Sequence, residues 1–216
     1  SCATTYVWPS HQADDLLFIA IESSGTALST PSTPSGMAHA AASPRSQSSN
    51  ATVITVFWKR ATSSSEADVI IPAAADHQVG IPFRVRGGLT SGNPWSASSS
   101  TGQSSNSGTR TFSGFTTVTA DTLVVYMLAT ETDTTTDTFG TLTAPSGVTG
   151  FTVLDRLFTD SGGGGGVLVA YGTKATAGFA GSLTWTFASA GVWSGIVLSL
   201  DPALAVTEFE GWGVSL

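Results

Sequence analysis

Ala13-Asp14-Asp15-Leu16-Leu17 and Ala120-Asp121-Thr122-Leu123-Val124 are the two stretches on which the fold turns. Each opens a long apolar run, and the blocks that follow match in the same order. Pro34-Ser35-Gly36 is answered by Pro145-Ser146-Gly147, and Phe57-Trp58-Lys59-Arg60-Ala61-Thr62 by Tyr171-Gly172-Thr173-Lys174-Ala175-Thr176. The alternating run Ile81, Phe83, Val85 is answered by Ile196, Leu198, Leu200. Self-similarity of this kind marks a supersecondary unit used more than once. The unit reads as strand, Pro-Ser-Gly turn, strand, strand. A single copy would leave its apolar face wet, so two copies are expected to pack as one antiparallel β-sandwich of jelly-roll-like type. The sequence therefore predicts an all-β domain over 1–202, with halves at about 1–95 and 110–202 and a Ser-rich crossover at 96–109.

Outward from these blocks, the strand pattern continues. Runs rich in β-branched and aromatic residues, bounded by Gly, Pro, Ser or Asn, occur at 15–21, 52–60, 66–71, 78–86, 111–118, 121–129, 149–158, 166–174, 181–188 and 191–200. Ile81, Phe83 and Val85 alternate with Pro82, Arg84 and Arg86, the period of a half-buried strand. No sustained helical period is present. The stretches 23–51 and 96–109 are dominated by small and polar residues and read as long surface loops, and Gly162 to Gly166 reads as a hairpin loop.

Composition agrees with strands and limits the partners. Of 216 residues, 41% are hydrophobic and only 11% charged, against about 25% in an ordinary soluble domain. Ser, Thr, Gly and Asn must carry the surface, which suits pleated sheets and corners. A net charge of −7 argues against nucleic acid and against an anionic membrane surface, because both need exposed Lys and Arg. No apolar run reaches a membrane span and no leader-peptide pattern opens the chain, so a soluble protein made in the cytoplasm is expected. The one cysteine, Cys2, excludes an internal disulfide and reads as a free thiol.

Residues that could carry chemistry are few. His11, His39 and His77 lie in separate contexts without metal-ligand spacing, and neither His-Glu-x-x-His nor Gly-x-Ser-x-Gly occurs. His11 near Asp14-Asp15 and His77 beside Asp76 are the one hint of a titrating cluster. The glycine run lacks the Lys-Ser/Thr of a phosphate loop. Glu131, Asp133 and Asp137 offer oxygens to a structural calcium, but their spacing departs from the twelve-residue calcium loop, so neither metal nor cofactor is expected. Among six tryptophans, Trp58, Trp185 and Trp193 fall inside strands and read as core. Trp8, Trp95 and Trp212 fall at element ends and are the candidates for exposed, sugar-stacking platforms.

Beyond Asp201-Pro202 the strand pattern stops, yet residues 203–216 still carry Phe209, Trp212, Val214 and Leu216. Four large apolar groups outside the repeat either return to the sandwich as an edge strand or dock on a neighbouring subunit. They are the candidate partner-binding residues of an attachment arm.

Trp8-Pro9-Ser10-His11-Gln12-Ala13-Asp14-Asp15, Phe57-Trp58-Lys59-Arg60-Ala61-Thr62 with Glu66, and Gly92-Asn93-Pro94-Trp95 resemble segments of β-sandwich virion proteins from tailed bacteriophages. The likeness spans about residues 6–202 and brings no catalytic residue with it. It implies a non-enzymatic structural protein at the virion surface, most simply a capsid decoration or head-fibre protein. Such a protein would contact a capsid or tail protein of the same particle and further copies of itself. The alternative implied is a tail-tip or fibre adhesin that binds a host surface glycan.

Overall fold

The computed structural model describes residues 4–24, 30–48, 51–72, 76–103, 108–187, 191–202 and 208–211. Among them there are strands and no helix: β1 (Thr4–Tyr6), β2 (Leu16–Ser24), β3 (Ala38–His39), β4 (Arg45–Gln47), β5 (Thr52–Arg60), β6 (Val69–Ile71), β7 (His77–Arg86), β8 (Trp95–Gln103) and β9 (Thr109–Phe112). Then follow β10 (Phe115–Thr117), β11 (Thr122–Thr130), β12 (Leu142–Thr143), β13 (Thr149–Thr159), β14 (Gly165–Lys174), β15 (Gly178–Ala180), β16 (Leu183–Thr186), β17 (Trp193–Leu200) and β18 (Glu208–Gly211). All pairings are antiparallel. One main sheet runs β18-β7-β2-β5-β3, with β4 also on β5, and the other runs β13-β14-β11-β17-β8.

Side-chain parity explains how the layers stack. On β2, Leu16, Phe18 and Ala20 point between the main sheets, where they meet Val125, Met127, Val169 and Leu198. Leu17, Ile19 and Ile21 point the other way, onto Tyr6, Trp8, Val69 and Ile71 of the β1–β6 ribbon and its flanks. The outer face of the second sheet, with Val124, Tyr126 and Leu128, is covered by Phe112, Phe115, Leu183 and Trp185 from the smaller strands. Central strands covered on both faces have no polar side, which is why β2 and β11 read as unbroken apolar runs.

Several of the aligned positions share local geometry. Asp14 and Asp121 both take positive φ, 70° and 55°, and donate their N–H to Ala61 O at 2.9 Å and to Ala175 O at 3.3 Å. Gly36 and Gly147 take φ of 74° and 78° in turns closed by Met37 N–H to Pro34 O and Val148 N–H to Pro145 O. Leu16, Phe18 and Ala20 face Val85, Phe83 and Ile81, as Leu123, Val125 and Met127 face Leu200, Leu198 and Ile196. The edge strands cross over. β8 follows β7 in the chain but pairs with β17, and β18 follows β17 but pairs with β7. Where the two connections pass, Asp201 N–H bonds Pro94 O at 2.8 Å and Ser96 Oγ bonds the Asp201 carboxylate at 2.6 Å.

Three expectations need correction. The Ser-rich 96–109 is not a loop throughout, since β8 pairs with β17 from Trp95 to Gln103. Small hydroxyl side chains suit a half-exposed edge strand as well as a turn. The stretch 23–51 contains the end of β2 together with β3 and β4, and 111–118 breaks at Ser113-Gly114 into β9 and β10.

Candidate functional site

Parity places Glu22 on the inner face of β2, one step beyond Leu16, Phe18 and Ala20, where the matching position of β11 is the apolar Ala129. The carboxylate is fully buried. His77 begins β7 directly opposite Ser24, so its ring reaches the same point. His77 Nε2 lies 3.0 Å from Glu22 Oε2 and 3.1 Å from Ser24 Oγ, and Nδ1 lies 2.7 Å from Asp76 Oδ1. Thr52 Oγ1 donates to Glu22 Oε1 at 3.1 Å.

The glycine run closes this cluster from the second sheet. Gly163 N–H donates to Asp76 Oδ2 at 3.1 Å, Ser24 Oγ donates to Gly164 O at 3.5 Å, and Gly164 takes a positive φ of 65°. A Cβ on Gly165 would stand 2.2 Å from Glu22 Oε2, so the close approach requires glycine there. Two sequence features read separately, His77-Asp76 and Gly162–Gly166, thus form one site.

The chemistry of the site is proton holding. Burial, first of all, pushes the Glu22 carboxyl up to about 7, against the hydrogen bonds from His77 and Thr52. Burial would lower His77, but carboxylates on both ring nitrogens outweigh it and its pKa is raised. The contacts of Nδ1 with Asp76 and of Nε2 with Glu22 both favour the protonated ring. Ser24, His77 and Asp76 have the residue types of an acyl-transfer triad. Such a triad needs Nε2 free to take the serine proton; here Nε2 is also engaged by the Glu22 carboxyl.

The remaining expected residues are placed elsewhere. His11 does not join Asp14-Asp15: its Nδ1 is 2.8 Å from Pro9 O and its Nε2 accepts the Glu66 N–H at 3.0 Å. Asp15 is buried and takes the Arg86 guanidinium on both oxygens, at 3.1 and 3.0 Å. Glu66 pairs with Lys59 and accepts from Thr62, which together hold its carboxyl down at about 2. Arg60 donates to Leu89 O and Gly92 O, and Trp8 Nε1 donates to Ala67 O. The Trp-Pro, Lys-Arg and Gly-Asn-Pro-Trp motifs are therefore braces between connections. Burial of Trp8 corrects its assignment as a platform, and Trp95 is half-buried edge-on to Trp58 at 5.0 Å. Glu131 accepts from Val192 N–H and Asp137 pairs with Arg156, and among the described residues no three acids, histidines or cysteines gather as metal ligands.

Each of the eight Lys and Arg side chains finds an acceptor within the chain: Arg45 on Gln47, Lys59 on Glu66, Arg84 and Arg86 on Asp15, Arg110 on Gly191 O, Lys174 on Thr176 O, besides Arg60 and Arg156 above. Of the candidate partner-binding residues, Phe209 lies on β18 at the register of Val85, the edge-strand arrangement. Trp212, Val214 and Leu216 lie outside the described residues, as do Cys2 and residues 203–207. No family model, no curated protein and no solved structure matches the chain.

Proposed function

We propose that the chain is a non-enzymatic structural subunit of a tailed-phage virion, a capsid decoration or head-fibre protein on the outer surface. The observation that carries this reading is the crossed pair of edge strands. β18 makes four residue pairs on a β7 of ten residues, and the same pairs form equally well on the β7 of a second copy. Exchange of an identical element between copies is a low-cost route to assembly. Phe209, Trp212, Val214 and Leu216 travel with that strand and supply the apolar contact to another copy or to a capsid or tail protein. A net charge of −7 with every cation internally engaged supports an exterior position that repels neighbouring particles and holds no nucleic acid. The test has two arms. A cryo-EM map of the intact particle should show this chain on the outside, contacting its neighbours through 203–216. Ester or polysaccharide turnover that Ser24→Ala or His77→Ala abolishes would overturn the reading.

A further inference from the structure

The second sheet ends on β13, and this edge strand is bent twice. Thr149 to Thr152 run against Thr173 to Tyr171, and Val153 to Asp155 run against Ala170 to Val169, so each step carries one extra residue. Gly150 supplies a positive φ of 61° at the first. Bulges re-aim side chains and interrupt pairing. Here they leave an open groove of about 550 Å³ between β13 and the segment 137–142.

The groove has a fixed polar wall and an apolar one. Arg156 Nη1 donates to the Asp137 carboxylate and to Gly140 O at 3.2 Å, and the other Asp137 oxygen accepts the Phe139 N–H at 2.9 Å. The pair is anchored to backbone at both ends, yet its side chains remain 30% and 39% exposed. Among the described residues Nε and Nη2 of Arg156 meet no acceptor. Leu142, the half-buried Phe151, whose ring is set edge-on to Tyr126 at 6.1 Å, and Thr141 and Thr152 line the groove as well.

We propose that this groove binds a neutral saccharide, its C–H face on Phe151 and Leu142 and its hydroxyls bridging Asp137 and Arg156. A sugar hydroxyl both donates and accepts, so neighbouring hydroxyls match a carboxylate beside a guanidinium. An anionic ligand would meet Asp137 in a chain of net charge −7. A peptide added as a strand needs an unbroken edge, which the bulges deny it. A wholly apolar ligand would dry the ion pair without replacing its water. None of the residues that line the groove belongs to β18, so the failure of this site and that of the assembly reading are separate results.

The test is a printed array of neutral and acidic glycans probed with the full chain, followed by a ¹⁵N NMR titration with the strongest neutral glycan. Amide shifts should fall in 137–142 and 150–156. Asp137→Asn, which keeps an acceptor for Phe139, and Phe151→Leu, which keeps the apolar fill, should each weaken binding about tenfold with the fold intact by NMR, the loss of one hydrogen-bonded or stacked contact. Silence across the array, binding to acidic glycans alone, or neutral binding that neither variant weakens would overturn the assignment.

Discussion

A carboxyl group shut away from water keeps its proton unless the charge is compensated, and among the described residues Glu22 is compensated by His77 and Thr52. Both Glu22 and His77 have pKa values raised above their unfolded values, so the folded state holds more protons. Stability is then full at pH values below their unfolded pKa values, about 4.5 for Glu and 6.5 for His, and falls as pH rises through the raised ones. The slope can reach about 1.4 kcal/mol per pH unit for each extra proton held. Chemical denaturation from pH 5 to 9 should show this fall, and Glu22→Gln should flatten it, whereas stability that climbs with pH would refute the raised pair. Glu66 works in the opposite sense, its stabilisation being lost only as pH drops from 4.5 towards about 2. His77 beside Asp76 was visible in the sequence as a titrating pair. Glu22 was not, although continuing the parity of Leu16, Phe18 and Ala20 by one step puts it on the inner face. Its contact with the glycine run depends on how two sheets meet, which no local pattern encodes.

At the scale of elements, the same turn is made twice with a residue that tolerates it. Asp14 and Asp121 sit in the left-handed region, where a Cβ crowds the following carbonyl and costs about 1–2 kcal/mol except in Gly, Asn and Asp. If the halves are copies of one unit, Asp14→Ala and Asp121→Ala should each destabilise by about 1 kcal/mol while Asp→Gly is nearly neutral at both. Urea unfolding of the four variants checks this, and opposite rankings at the two positions would argue against a shared unit. The strong strands and both Pro-Ser-Gly turns were legible because apolar runs and positive-φ glycines leave local marks. β8 was not, because its serines and threonines serve an edge strand and a loop alike, and the three-residue ribbons β1–β6 and β10–β15 are too short to show a period.

On the scale of the whole molecule, each main sheet is completed by a strand that follows the other sheet's strands in the chain, through connections tied together at Asp201. The β8 crossing rests on pairing along its whole length, whereas β18 holds β7 only from Phe83 to Arg86, leaving His77 to Pro82 without a pair from β18. The short crossing is the one that can be traded between copies at little net cost, because the bonds broken and made are the same. Sedimentation velocity over a concentration series, on the full chain and on the chain ending at Pro202, tests this most directly. The full chain should associate as concentration rises, while the shortened chain should remain folded, with a melting temperature lowered by about 5 °C or less, and sediment as a monomer. A full chain that stays monomeric throughout, with a shortened chain that unfolds, would make β18 an ordinary edge strand and contradict assembly through the C-terminal segment.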